Sequence, residues 1–315
     1  MDLQGLNIFI QVAELNNFTK AGERLGYSQP TVSFQIKQLE AELGVKLFDR
    51  IGHTVSLTDE GRAALVYAQH ICNMSDEMIA GAGKQYEVEG VVRLGMADSL
   101  CTPLIAKRFD EFRKQYPNVS LHVKTGETNE LFSLLDHNEV DIVCTLDSPI
   151  YNTNYKTVGD ETVDVNLVVS KDNPLANKRE ITIKEFLEQP FFSTEQGISY
   201  NRILSEELAK KGLEIHPVLE MGSADLLCKL VENNLGVAYL PDYVTDASVE
   251  RGEIVRLQVE NLHISVQKQI LYRRDKWVNI QMKAFMEYVK VKQQAELAQL
   301  QMQQHLLESK SFIKN

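Results

Sequence analysis

The sequence predicts an α/β protein with an N-terminal winged helix-turn-helix, a long linker helix, and a two-lobed α/β domain after it. Three observations predict this. Helical apolar spacing, bounded by cap and stop residues, marks short helices before residue 44. A longer helix with a heptad-like seam opens at residue 59. Beyond residue 90, short β-rich runs alternate with helical runs, the pattern of parallel sheets covered by helices.

In the first helix, residues 3–15, the apolar residues Leu6, Phe9, Ile10 and Ala13 recur at helical spacing. Thr19 reads as the N-cap of a short helix, 20–25, stopped by Gly26. Ser28 caps the next helix, and Pro30 lies in its first turn, where a missing N–H costs nothing. That helix runs to about Leu43, with Gly44 as its stop, so two helices joined by Gly26-Tyr27-Ser28 make a helix-turn-helix. At 100° per residue, Val32, Ile36, Leu39 and Leu43 share a core face. The opposite face carries Pro30, Ser33, Phe34, Lys37 and Ala41, with Gln29 at its exposed end.

Such a face suits a major groove. Gln29 can pair with an adenine edge, Phe34 can meet a thymine methyl, Thr31 and Ser33 can donate to phosphate oxygens, and Lys37 can neutralise a phosphate. Spacing alone also allows a solvated surface helix in a bundle. Residues 45–50 and 55–57 then read as extended pieces around a turn at 51–54. They form a wing, with Arg50 and His53 placed to touch backbone or minor groove. Charge does not advertise nucleic-acid binding: the net charge is −11, and residues 1–58 hold five basic groups against six acidic ones. Placement of charge has to carry the argument.

The residues Ala21-Gly22-Glu23-Arg24-Leu25, Ser28-Gln29-Pro30-Thr31-Val32-Ser33, Ile36-Lys37-Gln38-Leu39-Glu40, Leu43-Gly44-Val45-Lys46-Leu47-Phe48-Asp49-Arg50 and Leu57-Thr58-Asp59-Glu60-Gly61 resemble the signature of the LysR-type transcriptional regulators. The resemblance is dense over residues 1–65 and implies DNA contacts at Gln29, Pro30, Thr31, Ser33, Lys37 and Arg50. Two positions depart from it. Gly22 stands where the family usually has Ala, at an expected cost of about 1 kcal/mol to its helix. His53 stands where the wing often has Arg, which weakens its grip and makes it pH-dependent.

Thr58-Asp59-Glu60 opens the long helix with a cap and acidic residues in its first turn. Ala64, Ala68, Ile71, Ser75, Met78 and Ala82 recur with steps of 4, 3, 4, 3 and 4, a seam fit for close pairing with another helix. Packing on its own domain is the alternative. The resemblance implies a helix pair between the subunits of a homodimer, and further implies tetramers. Gly81, Gly83 and Gly90 mark the hinge.

From Val91 the expected order is strand 91–96, helix 104–116, strand 121–125, helix 130–138 and strand 141–145. A second set follows: strand 163–169, a helix near 184–187, strand 191–193, helix 201–211, strand 217–220, helix 224–233 and strand 237–240. In such sheets ligands sit beyond the carboxyl ends of strands, near helix N-termini. Asp98, Ser99 and Thr102 follow the first strand, Thr128 and Asn129 follow the second, and the turn 193–197 with Thr194, Tyr200 and Arg202 answers from the other lobe. The resemblance, looser here, implies a fold like the periplasmic binding proteins with a small-molecule effector between the lobes. It implies anion-binding hydroxyls at Ser99 and Thr128, although either could serve as a helix N-cap alone. Asp98 and Glu195 would repel an anion, which leaves a zwitterion or amine-bearing effector open.

The expected domains are 1–58 for the DNA-binding head, 59–89 for the linker helix and hinge, 90–292 for the effector domain, and 293–315 for a Gln-rich tail. Lobe one takes 90–161 and 267–292, and lobe two takes 162–266. A helix is expected after Trp277, with Ile280, Phe285, Met286 and Val289 near one face. The four scattered cysteines and an N-terminus without signal-peptide features suit a reducing cytoplasm, and no apolar run is long enough to span a membrane. Cys101, at a predicted helix start, could become a thiolate, which makes a redox-responsive regulator one alternative. A free-standing solute-binding protein of the periplasmic type is another. Seven scattered histidines, without HExxH, GxSxG or a phosphate-loop pattern, argue against an enzyme and imply no metal or cofactor. The expected partners are double-stranded promoter DNA with inverted half-sites, a small effector, a second copy of the chain and, downstream, RNA polymerase.

Overall fold

The computed structural model describes residues 1–51, 54–81, 88–106, 109–195 and 197–290, without the side chains of 50, 51, 54, 73, 76, 77 and 79–81. The head opens with α1 (Leu3–Leu15), whose N-cap Asp2 accepts from the Gly5 N–H. Helix α2 (Phe18–Leu25) starts earlier than the sequence suggested. Asn17, not Thr19, is its cap and accepts from the N–H groups of both Thr19 and Lys20. Helix α3 (Gln29–Leu43) is capped by Ser28 and closed by Gly44 in the left-handed conformation. Gly22 has a packing reason: a Cβ there would lie 2.6 Å from the Tyr27 carbonyl oxygen across the tight turn.

Val32, Ile36 and Leu39 of α3 are buried as expected, but Leu43 is 42 % exposed. The last turn instead buries Glu40, whose carboxylate accepts from the Leu47 N–H and from Lys46, tying α3 to the wing. The wing is an antiparallel pair, β1 (Phe48–Ile51) and β2 (Thr54–Leu57), with Phe48 meeting the rings of Phe9 and Phe18 edge-on.

Helix α4 (Asp59–Gly81) corrects the expected seam. Ala68 and Cys72 are buried in the head's own core, with Ala64 and Leu65 packed against it. These small residues let α4 approach α1 closely, so they do not face outward. Ile71 and Met78 of the expected seam are exposed, and with Tyr67 and Met74 they form the exposed apolar stripe, with Val66 beside it. Ser75 is half-buried, and Ala82 lies outside the described residues.

The effector domain begins with β3 (Glu89–Met96), α5 (Asp98–Cys101), a π-turn at Thr102–Ala106, and α6 (Phe109–Gln115). Then follow β4 (Asn118–Thr125), α7 (Thr128–Asp136), β5 (Ile142–Asp147) and the long β6 (Tyr155–Ser170). Lobe two adds β7 (Glu180–Ile181), α8 (Ile183–Leu187), β8 (Phe191–Ser193), α9 (Ser199–Ala209), β9 (Leu219–Glu220), α10 (Ala224–Glu232), β10 (Val237–Pro241), α11 (Asp242–Glu250) and β11 (Ile254–Val259). The chain returns through β12 (Ile264–Arg273) and a helix, α12, at 280–290.

The strands pair in the order β4-β3-β5-β12-β6-β10-β8-β9, with β11 also on β6 and β7 on β11. β3, β4 and β5 are parallel, whereas β12 runs antiparallel to both β5 and β6. Thus β6 and β12 are the two crossovers between lobes, paired along their length with Gln267 opposite Thr162. The sequence indicated only the apolar end of β6 and none of β12, because residues 155–162 alternate weakly and carry several polar groups.

The head rests on lobe one through a buried ionic cluster. Lys276 bridges Glu14 of α1 (2.9 Å) and Asp141 (3.1 Å), with only 4 % of its own side chain exposed. Arg24 of α2 donates to the Asn138 carbonyl and lies 3.6 Å from Glu14, while the Asn138 amide donates to the Glu14 carbonyl. Arg93 completes the set 3.6 Å from Asp141.

Candidate DNA-reading face and effector cleft

Because Val32, Ile36 and Leu39 fix α3 on the core, its other side is presented to solvent. Gln29, Pro30, Thr31 and Lys37 are exposed, Phe34 is 65 % exposed, and Ser33 is half-buried. The Gln29 amide donates to Ser33 (2.9 Å), and the hydroxyls of Ser28 and Thr31 share a bond of 2.8 Å. These are donors and acceptors satisfied by one another that can be exchanged for base edges and phosphates. Lys37 makes no described ion pair, leaving its charge for a phosphate. The Arg50 side chain and all of His53 lie outside the described residues.

Between the lobes lies a cavity of about 320 Å³. The connection after β3 places Asp98 and Ser99 on it, and the connection after β4 places Glu127 and Thr128. From lobe two come Glu195, Ser199 and Tyr200 around the start of α9, and Ser223 at the start of α10. Ser99 accepts from the Tyr243 hydroxyl (2.9 Å), and Thr128 shares a bond of 3.0 Å with Thr145. Both hydroxyls are therefore held in fixed orientations at the cavity wall.

Four of the expected effector residues, Asp98, Ser99, Thr128 and Tyr200, line this cavity. The other four do not. Thr102 instead donates across the lobes to Asp225 (2.6 Å). Asn129 is exposed on the first turn of α7. Thr194 is buried behind Tyr200, and its carbonyl accepts from Asn201 (2.8 Å). Arg202 turns away into ion pairs with Asp147 and Glu206, both at 2.8 Å. Sequence reasoning missed Glu127, Glu130, Ser199 and Ser223. Their signal was present, since each lies within three residues of a helix start.

Of the two readings open for Cys101, a reactive thiolate or a thiol packed behind the pocket, the surroundings favour the second. Burial, together with the Asp98 and Asp225 carboxylates, pushes the Cys101 thiol up to about 11. A helix of only four residues (α5) cannot offset that. Burial likewise raises the Cys144 thiol, to about 12, and raises that of Cys228. Among the described residues no His, Cys, Asp and Glu cluster could hold a metal ion, and no helix is long and apolar enough to cross a membrane.

A winged reading head joined to a two-lobed domain with an interlobe cavity defines a transcriptional regulator that binds DNA and a small effector. The comparisons with known proteins agree on the family. The model of the LysR substrate binding domain matches residues 85–294, and that of the bacterial regulatory helix-turn-helix protein, lysR family, matches residues 3–62. The chain belongs to the LysR family. It is 30 % identical over 292 residues to the uncharacterized HTH-type transcriptional regulator YwqM of Bacillus subtilis, covering 91 % of this chain and 98 % of that one. It is 28 % identical over 297 residues to the RuBisCO operon transcriptional regulator of Allochromatium vinosum, covering 92 % and 95 %. Among solved structures it resembles CrgA, a LysR-type transcriptional regulator from Neisseria meningitidis, with TM-score 0.53, 22 % identity and coverage of 91 % and 97 %. That likeness shows the fold alone.

Proposed function

We propose that this regulator reads inverted promoter half-sites as a dimer and is controlled by a small molecule held in the cleft described above. The observation that carries the reading is the joint lining of the cavity by both lobes. A ligand touching both lobes binds one lobe arrangement better than another and shifts the population toward it. Lobe one is locked to the reading head through Lys276, Glu14, Arg24 and Asp141, so a change in lobe packing is carried to α3. Gln29, Pro30, Thr31, Ser33, Phe34 and Lys37 are the proposed groove contacts, joined by Arg50 and His53 of the wing.

The dimer contact we propose is the exposed stripe Tyr67, Ile71, Met74 and Met78, spaced by steps of 4, 3 and 4 on α4. Two heads on one DNA add their binding energies, which a head of near-neutral charge requires. Pairing of dimers into tetramers, contact with RNA polymerase and action in the cytoplasm belong to the same proposal. Direct redox sensing through Cys101 is disfavoured by its raised thiol.

The test is the double variant Ser99→Ala, Thr128→Ala. It is expected to keep basal DNA binding and a normal melting temperature, and to lose the change in DNA affinity that a small-metabolite extract produces. An unaltered response would put the effector elsewhere.

A further inference from the structure

The chemistry of the cleft is one-sided. Asp98, Glu127, Glu130 and Glu195 bring four carboxylates to its wall, while no Lys, Arg or His among the described residues lines it. None of the four has a cationic partner among the described residues. The nearby Arg202 cannot serve, being committed to Asp147 and Glu206. Two of these acids are set into the cleft by glycines of lobe two. Glu127 reaches from lobe one so close to Gly197 that a Cβ there would lie 1.8 Å from its carboxyl carbon. Glu195 lies against Gly222, where a Cβ would be 3.3 Å from its oxygen. Burial and the Asp225 charge raise the Asp98 carboxyl.

The same wall also carries groups suited to an anion. Helices α7, α9 and α10 all begin on it, and their N-cap residues Glu127, Ile198 and Ser223 make no side-chain cap bond. First-turn N–H groups of these helices are therefore open to an acceptor, apart from that of Asn201, which bonds the Ile198 carbonyl (3.1 Å). Independently, Tyr200 lines the cavity with its hydroxyl buried, 1 % of the residue exposed, and no hydrogen-bond partner. The buried Thr194 hydroxyl likewise has no hydrogen-bond partner among the described residues. A buried donor without an acceptor is costly unless something else fills the place.

We infer that the effector is a cationic amino acid, with one carboxylate and two positively charged nitrogen groups. Its carboxylate takes the Tyr200 O–H and the free N–H groups of the helix starts, and its two cations take the carboxylates of Asp98, Glu127, Glu130 and Glu195. This rests on the reading that the effector lies between the lobes. A dicarboxylate would meet four like charges with no cation to offset them, and a simple diamine would leave Tyr200 and the N–H groups unmatched. The cavity, at about 320 Å³, lies at the small end of ligand sites and suits a molecule of amino-acid size.

The test is calorimetric titration of the full chain with L-arginine and L-lysine. The controls each lack one feature: agmatine has no carboxylate, norleucine no second cation, and glutamate has the opposite net charge. One of the two cationic amino acids is expected to bind at least tenfold more tightly than every control. It should lose at least tenfold in the double variant Glu127→Gln, Glu195→Gln, with circular dichroism unchanged. Binding of neither cationic amino acid, or a preference for agmatine, norleucine or glutamate, would overturn the inference. If the preferred control loses affinity in Thr128→Ala, the interlobe reading survives and only the charge assignment falls. A cationic amino acid whose affinity is untouched by the double variant binds outside the cleft, which would sink both.

Discussion

Replacing Lys276 with Met tests whether the head and lobe one are held together by the buried ionic cluster. The side chains of Lys276, Glu14 and Asp141 are 4 %, 6 % and 5 % exposed, so removing the cation strands two carboxylates away from water. Breaking a buried pair in this way costs about 3–5 kcal/mol. Here the cost should sit near the lower end, because Glu14 keeps Arg24 and Asp141 keeps Arg93, each at 3.6 Å. About 3 kcal/mol at an interface corresponds to a shift of roughly 150-fold toward the undocked head. Hydrogen exchange over α1 and over residues 274–278 is the assay. The variant should exchange much faster there while the β3–β5 sheet stays protected. Equal protection in variant and wild type would refute the latch. Acid should act in the same direction. Burial alone would raise the Asp141 carboxyl, but Lys276 and Arg93 hold it below its ordinary value. The docking energy it supplies is therefore present above about pH 4 and is lost as pH falls through the lower folded value.

Two further predictions separate competing faces and mechanisms. On α4, Met74→Glu should turn the dimer into monomer by sedimentation with little loss of melting temperature, whereas Ala68→Glu should unfold the head, since Ala68 is 2 % exposed in its core; a dimer that survives Met74→Glu would move the interface off this stripe. Cys101→Ser should leave DNA affinity in peroxide-treated protein unchanged from wild type, because a thiol pushed up to about 11 holds little thiolate at neutral pH; loss of a peroxide response in the variant would restore the redox reading.

What could be read from the chain was what is encoded locally. Gly26 closes α2, and Ser28, Pro30 and Gly44 fix the ends of α3, through caps and left-handed turns that need no distant partner. The solvent-facing side of α3 followed from the apolar period of the same helix. Leu43 escaped because Glu40 takes the inward place through bonds to the wing, a contact between segments that periodicity does not register. On α4 the heptad period was legible but its face was not. Two stripes of the same spacing share Ile71 and Met78, and only the head's core reveals that Ala64 and Ala68 belong to it. Half of the expected effector residues reach the cleft. Position after a strand was enough to find Ser99 and Thr128, whereas the orientation of Arg202 depends on Asp147 from another strand. The polar half of β6 and all of β12 stayed hidden because their pairing is with each other across the sequence.

The most direct measurement of the central claim is recovery and sequencing of genomic DNA bound by the purified chain, with and without a small-metabolite extract, for wild type and for Gln29→Ala. Wild type should enrich a few promoters bearing inverted half-sites, with occupancy changed by the extract, and Gln29→Ala should blur that preference by about 1–3 kcal/mol per site. Absence of enrichment in both conditions, or an identical site preference in Gln29→Ala, would contradict the account of α3 as the reading helix.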